Sequence, residues 1–229
     1  MISLIIPMYN EERILPDTLR ELRAFCDAEG VEELIFADDG STDGSAALVE
    51  AAAAEDGRIR LISCPHRGKG AAVRSGMLES RGDTVLFTDC DLAYGTEQLS
   101  GILRAHRDGD KPITVGVRTL GSESFEGYSL LRRVGSEGLR WLIRLRTGLR
   151  VSDMQAGLKC FDGDVAHALF AECRTEGFAF DTEILLLARR RGVAVGEYPV
   201  KILPGGGEHR SSVHPVRDAI SLLREIGKM

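Results

Sequence analysis

The chain has 229 residues, 43% hydrophobic and 28% charged, with 35 acidic against 29 basic side chains and a formal net charge of -6. That balance fits a folded chain able to bury a substantial core and argues against disorder and against a general nucleic-acid binder, which needs a basic footprint. No apolar run reaches the roughly 18–20 residues of a membrane span, and the opening Met1 to Pro7 lacks the basic start and the length of a signal peptide. Five cysteines, Cys26, Cys64, Cys90, Cys160 and Cys173, are odd in number and form no CxxC pair. They fit a reduced cytosolic chain in which cysteine serves as a small apolar residue.

In chain order, Ile2 to Ile6 is a short apolar run ended by Pro7, which predicts a buried strand. Leu15, Leu19, Leu22 and Cys26 follow at helical spacing, with Pro16 near the start and Gly30 at the end. Glu33 to Ala37 reads as a second strand, Asp38 to Gly44 as turn chemistry, and Ala46 to Glu55 as an alanine-rich helix. A third strand at Ile59 to Ser63 leads through a loop to a helix over Gly70 to Ser80. A fourth strand at Thr84 to Thr88, a helix at Thr96 to His106 and a fifth strand at Ile113 to Val117 complete the regular half.

The second half is less regular. Gly121 to Gly127 reads as a loop, Leu130 to Arg146 as a helix, and the stretch near Leu158 as a short strand. Helices are expected over Asp164 to Cys173 and Asp181 to Arg191, and a strand over Val193 to Ile202. Gly205-Gly206-Gly207 and a last helix from Pro215 close the chain. Alternating strands and helices predict an α/β fold: a single, doubly wound, mostly parallel sheet flanked by helices, as one domain over 1–229. Ligands then belong at the carboxyl edge of the sheet.

Chemistry-bearing residues fall at those strand ends. Asp89-Cys90-Asp91 follows the fourth strand, and two such carboxylates can converge on magnesium or manganese, with substrate phosphates completing the shell. Ordinary turn formation by aspartate is the competing reading. Gly68-Lys69-Gly70 offers a cation beside flexible backbone. It is not a Walker loop, since no glycine stands five residues before Gly68, nor the dinucleotide fingerprint, which would follow the first strand.

Taken in order, Pro7-Met8-Tyr9-Asn10-Glu11-Glu12, Asp38-Asp39-Gly40-Ser41-Thr42-Asp43, Gly68-Lys69-Gly70 and Asp89-Cys90-Asp91 strongly resemble the inverting family 2 glycosyltransferases of the GT-A fold. Asp153-Met154-Gln155-Ala156-Gly157-Leu158-Lys159 and Gly177-Phe178-Ala179-Phe180-Asp181-Thr182-Glu183 resemble segments of the dolichyl-phosphate glucosyltransferases, and the likeness runs from Ile2 to about Ile226. The resemblance implies that Pro7, Tyr9, Glu11 and Asp39 line a nucleoside pocket, that Asp89 faces the ribose or diphosphate, and that Asp91 ligates the divalent metal, with Asp89 able to share it. It implies that Lys69 and Arg210 neutralise diphosphate or acceptor phosphate, and that Asp153, Gln155 and Lys159 lie near sugar and acceptor. Asp181 aligns with the family's general base. It could instead organise Lys159 or Arg210, or simply open a helix, where the dipole favours a carboxylate.

Related mannosyl-phosphate synthases read D-A-D-L-Q, and here Ala93 stands at the last position. The implied function is transfer of a sugar, glucose favoured, from a nucleotide donor (UDP-sugar over GDP-sugar) to a polyprenyl phosphate. A transferase acting on a hydroxyl, or a silent nucleotide-sugar binding module, are the alternatives. Residues 130–150 carry six arginines against a single glutamate, Glu137. Leu131, Val134, Trp141, Leu142 and Leu145 fall on one side of that helix, with Arg133, Arg140 and Arg144 nearly opposite. Such a face could rest peripherally on anionic lipid at the cytoplasmic side, or be an ordinary solvated helix face.

Overall fold

The computed structural model describes residues 1–118, 148–149 and 151–203. The expected loop at 121–127, the arginine-rich helix, the glycine run, Arg210 and the last helix lie outside the described residues. Among the described residues seven strands form one sheet: β1 (Ile2–Met8), β2 (Glu33–Asp38), β3 (Ile59–Ser63), β4 (Thr84–Thr88), β5 (Ile113–Arg118), β6 (Leu158–Asp162) and β7 (Val195–Val200). Their order is β3-β2-β1-β4-β6-β5-β7. Six helices accompany them in the same residues: α1 (Leu15–Glu29), α2 (Ser45–Glu55), α3 (Lys69–Glu79), α4 (Gly95–Asp108), α5 (Gly163–Glu172) and α6 (Phe180–Arg190).

Alternation along each strand sends one set of side chains to either face. Leu4, Ile6, Leu34, Phe36 and Leu86 pack with α1, α2 and α4, while Ile5, Ile35, Val85 and Phe87 pack with α3, α5 and α6. Helix α1 follows its predicted stripe, burying Leu15, Leu19, Leu22 and Cys26, and stops at Gly30, whose φ of 69° is the left-handed cap that glycine adopts without strain. All five cysteines are free thiols, and four of them are buried. No helix among the described residues is long and apolar enough to cross a membrane.

Two features depart from the strand pattern read in the sequence. The first strand continues through Pro7 to Met8. Ile2 and Met8 carbonyls accept from Glu32 and Asp39 N–H groups on the β2 side, so odd-numbered residues of β1 face β4. Pairing of β1 with β4 ends at Ile5–Phe87, and the missing N–H of Pro7 therefore falls where no ladder bond is required. The second is β6, which runs antiparallel to both β4 and β5 and brings its amino-terminal end to the carboxyl edge of the parallel strands. Strand order reverses between β1 and β4: β2 and β3 lie to one side of β1, β4 to the other. Beyond Ile5–Phe87 the two strands separate, which opens a crevice of the kind where doubly wound sheets bind ligands.

At the opposite edge Glu33, buried at the start of β2, accepts hydrogen bonds from Ser3 Oγ (2.5 Å), the Arg81 N–H (2.9 Å) and Arg60 Nη1 (2.5 Å). Burial by itself would push this carboxyl up, but those three donors outweigh it and hold it below the ordinary value of 4.5. A depressed carboxyl contributes stability above its unfolded pKa that is lost as pH falls through the folded one. Glu33→Gln is expected to destabilise the fold by about 1.5–3 kcal/mol at pH 7, with the difference from wild type shrinking below about pH 4.5 in urea unfolding. Parallel stability curves across that range would refute the assignment.

Candidate active site

Loops at the carboxyl ends of β1 and β2 interlock. Asn10 takes a left-handed conformation (φ 56°), accepts the Thr42 N–H on Oδ1 at 2.8 Å and donates its own N–H to Ser41 Oγ at 2.9 Å. The Glu11 N–H donates to Ser45 Oγ at 2.8 Å, and Glu12 accepts the Gly44 N–H at 3.0 Å. A Cβ at position 44 would stand only 2.7 Å from Glu12 Oε1, so a larger residue there would displace the Glu12 side chain. Helix α2 thereby starts at a fixed height beside the crevice.

Asp39 is buried and accepts the N–H groups of Arg67 (2.9 Å) and Gly68 (3.0 Å), while His66 Nδ1 lies 2.8 Å from its Oδ2. It holds the loop that precedes α3. The His66 ring stacks on Tyr9, with centroids 4.2 Å apart and planes 16° from parallel. Tyr9 is half-buried, whereas Pro7 is buried within β1.

Lys69 is the first residue of α3, and its Nζ lies 2.5 Å from Asp89 Oδ1. Burial alone would lower this ammonium, but Asp89 and Asp181 outweigh it and raise it. Lys159, on β6, is 1% exposed; its Nζ donates to the Ala156 carbonyl at 2.7 Å and to Asp181 Oδ1 at 2.5 Å. Both ammonium groups flank the Phe87 ring, at 5.7 and 5.9 Å from its centroid. Asp181 stands in the first turn of α6, where burial raises its carboxyl against the pull of Lys159 and Lys69. Lys69–Asp89 and Lys159–Asp181 thus form a connected set of alternating charges at the foot of the crevice. Gly157 closes against it, since any Cβ at 157 would overlap the Asp89 carboxylate.

Glu11 faces Asp89 and Asp91 across the crevice. Burial, and then the carboxylates of Asp91, Asp43 and Asp89, push the Glu11 carboxyl up to about 7, with Lys69 pulling the other way. This excess of negative charge is the setting that a hard divalent cation neutralises, so the donor set fits magnesium or manganese. Among the described residues no three His, Cys, Asp or Glu side chains are already gathered as a metal cage. One or two carboxylates, with phosphate oxygens completing the shell, is the arrangement the chain can offer. Asp91 accepts the Ala93 N–H at 3.1 Å, and the turn beyond it holds Leu92 at a φ of 46°.

Asp153 is fully buried and bonds both of its oxygens to Arg118, Nε at 2.5 Å and Nη2 at 3.0 Å. Gln155 is half-buried and donates its backbone N–H to Asp153. The structure therefore gathers Glu11, Asp89, Asp91, Lys69, Lys159 and Asp181 in one crevice. It sets Asp39 and Asp153 to holding other groups, and Arg210 lies outside the described residues. His66 and Arg118 were not singled out from the sequence. A cation ending the fifth strand was a readable signal for Arg118; nothing in the sequence marked His66 as a stacking partner.

The family model described as glycosyl transferase family 2 matches residues 3–166. A dolichyl-phosphate beta-glucosyltransferase of Trichomonas vaginalis is 32% identical over 235 residues, spanning 97% of this chain and 72% of that protein. The glycosyltransferase AglD of Haloferax volcanii is 31% identical over 230 residues, 98% of this chain but only 36% of that longer protein. Among solved structures, glucosyl-3-phosphoglycerate synthase from Mycobacterium tuberculosis in complex with Mn2+, uridine-diphosphate and glucosyl-3-phosphoglycerate superposes with a TM-score of 0.73 at 20% identity. That match covers 100% of this chain and 80% of the other, and it shows a shared fold.

Breaking a buried ion pair strands one charge in a low-dielectric setting. Asp181→Asn and Lys159→Met are each expected to destabilise the fold by about 3–5 kcal/mol, and the double variant to cost clearly less than the two added. Urea unfolding of the four proteins checks this; strict additivity would show that the pair is not coupled.

Proposed function

The chain belongs to glycosyl transferase family 2, and from that premise we propose that it transfers glucose from UDP-glucose to a polyprenyl phosphate with inversion at the anomeric carbon. An acceptor phosphate oxygen attacks the anomeric carbon from the face opposite the diphosphate; the bond to the diphosphate oxygen breaks and its electron pair leaves with UDP. A phosphate is already anionic at neutral pH, so no base need take a proton from it, whereas a hydroxyl acceptor requires one. The observation that carries this reading is the 2.5 Å ion pair of Lys159 and Asp181. The carboxylate at the family's base position is engaged with a buried lysine, an arrangement suited to an acceptor that brings its own charge. The dolichyl-phosphate beta-glucosyltransferases among the relatives support the same acceptor class.

Lys69 sits where it can oppose the charge that develops on the leaving diphosphate, and Arg118, held by Asp153, offers a second cation at the same sheet edge. Asp91 and Asp89 would hold magnesium or manganese, which when bound supplies further positive charge to the diphosphate. Tyr9, His66 and Asp39 form the wall on which the nucleoside would rest. Residues 130–150 would bring the enzyme to anionic membrane surface on the cytoplasmic side, a reading supported by their six arginines and by the lipid character of the acceptor.

Incubation with UDP-glucose, manganese and a polyprenyl phosphate in detergent is expected to yield a glucosylated, organic-extractable product. Chelation, or Asp91→Ala, should lower turnover by about 100-fold or more. Transfer to hydroxyl acceptors alone would overturn the acceptor, and full turnover in chelator would overturn the metal assignment. For the membrane contact, Arg140→Glu combined with Arg144→Glu should weaken flotation with anionic vesicles while leaving neutral vesicles unaffected; unchanged flotation would remove that contact from the proposal.

A further inference from the structure

Glu183 lies two residues beyond Asp181 but turns to different partners. Its Oε2 accepts the Thr175 N–H at 2.7 Å, the Arg174 N–H at 3.1 Å and the Cys173 thiol at 3.2 Å. One carboxylate oxygen thus gathers the end of α5 and the start of the 173–179 connection onto the first turn of α6. The next residues of that connection press against the loop that carries Lys69. The Ala71 N–H donates to the Glu176 carbonyl at 3.1 Å. A Cβ on Gly70 would stand 2.6 Å from the Thr175 carbonyl oxygen and 2.7 Å from that of Gly177, and one on Gly68 would stand 2.7 Å from that of Glu176. The glycines on either side of Lys69 are therefore required by the approach of this connection. Asp39 grips the same loop from the other side through Arg67 and Gly68 N–H groups.

We infer that Glu183 is a positioning residue for Lys69: by anchoring residues 173–175 it fixes the carbonyl shelf at 175–177 on which the first turn of α3 rests. Glu183 holds the shelf, the shelf holds Gly68 and Gly70, and Lys69 between them is aimed at Asp89 and the diphosphate. This rests on the proposed transfer reaction for its catalytic consequence, though not for the mechanical link itself.

The test uses the full chain as wild type, Glu183→Ala, Lys69→Ala and the double variant, with kcat/KM for glucosyl transfer and amide hydrogen exchange as readouts. Misplacing a group that stabilises the leaving charge costs about 100-fold, so each single variant should lose roughly that much. The double variant should lose no more than Lys69→Ala alone. Glu183→Gln keeps an acceptor oxygen and should recover most of the activity. Gly70→Ala, which pushes on the shelf from the other side, should reproduce the loss and replaces Glu183→Ala in the cycle if that variant does not fold. Faster exchange confined to the Gly68 and Ala71 amides in Glu183→Ala, with β1 and β4 amides unchanged, is expected whatever the activity. Multiplied losses in the double variant, or unaltered exchange at those amides, would overturn the inference. A wild type that neither transfers glucose nor binds UDP would overturn the proposed function instead, leaving the exchange result to decide this one.

Discussion

A lysine ammonium at 1% exposure in the middle of a sheet is costly unless a counter-charge meets it, and Lys159 is met by Asp181 at 2.5 Å. Much of the site follows from that requirement. It obliges β6 to present residue 159 toward the face that α6 covers, and it obliges α6 to begin there, with Asp181 in its first turn. The ammonium groups of Lys159 and Lys69 both lie over the Phe87 ring of β4, and the Lys69 ammonium also feels the Asp181 carboxylate, so the buried pair is linked to the Lys69–Asp89 pair. Lys159 sits on a strand, Lys69 and Asp181 on the first turns of helices, and Asp89 directly after a strand end, so the charges are held on or beside regular elements, which is the support that preorganised electrostatics needs.

The carboxylates of the crevice divide into two groups by what surrounds them. Asp39, Asp153, Asp181 and Glu183 have their oxygens committed to loop amides, Arg118, Lys159 and the 173–175 connection. Glu11, Asp89 and Asp91 lie near one another where β1 and β4 part, and burial, then the charges of Asp91, Asp43 and Asp89, raise the Glu11 carboxyl. The first group builds the frame, and the second is the one that would face a ligand in the proposed reaction. In the proposed reaction a metal and a diphosphate would bring opposite charges to such a place, and the two lysines and Arg118 would balance the phosphate share.

Much of the frame was legible in the residues. Apolar runs at 2–6, 33–37 and 84–88 became central strands because a parallel sheet covered on both faces reads as near-continuous hydrophobic stretches, while 59–63, interrupted by Arg60, became the half-exposed edge strand. The stripe through Leu15, Leu19 and Leu22 became α1 with its glycine stop. The carboxyl-edge location of Glu11, Lys69, Asp89 and Asp91 followed from the strand–helix alternation alone. The strand through Pro7 was not legible, because whether a missing N–H is tolerated depends on where the neighbouring ladder ends. Nor was the use of Gly68 and Gly70, which read as flexible backbone beside a cation, in a loop leading into a helix, and seat a second segment about a hundred residues away in sequence.

By itself the amino-acid sequence determined which elements form, which edge of the sheet carries the polar residues, and which residue types are available there, since periodicity and turn chemistry are local properties of the chain. Tertiary structure alone decided the partners: Asp181 with Lys159, Asp153 with Arg118, Asp39 with the loop before α3, His66 on Tyr9, Glu183 beneath the 173–175 connection. Pairing depends on the direction of β6 and on the separation of β1 from β4, and both are set by contacts between segments far apart in sequence, where no spacing rule applies. The physical reason is that a carboxylate's role is fixed by what shares its burial, and burial is a property of the assembled fold.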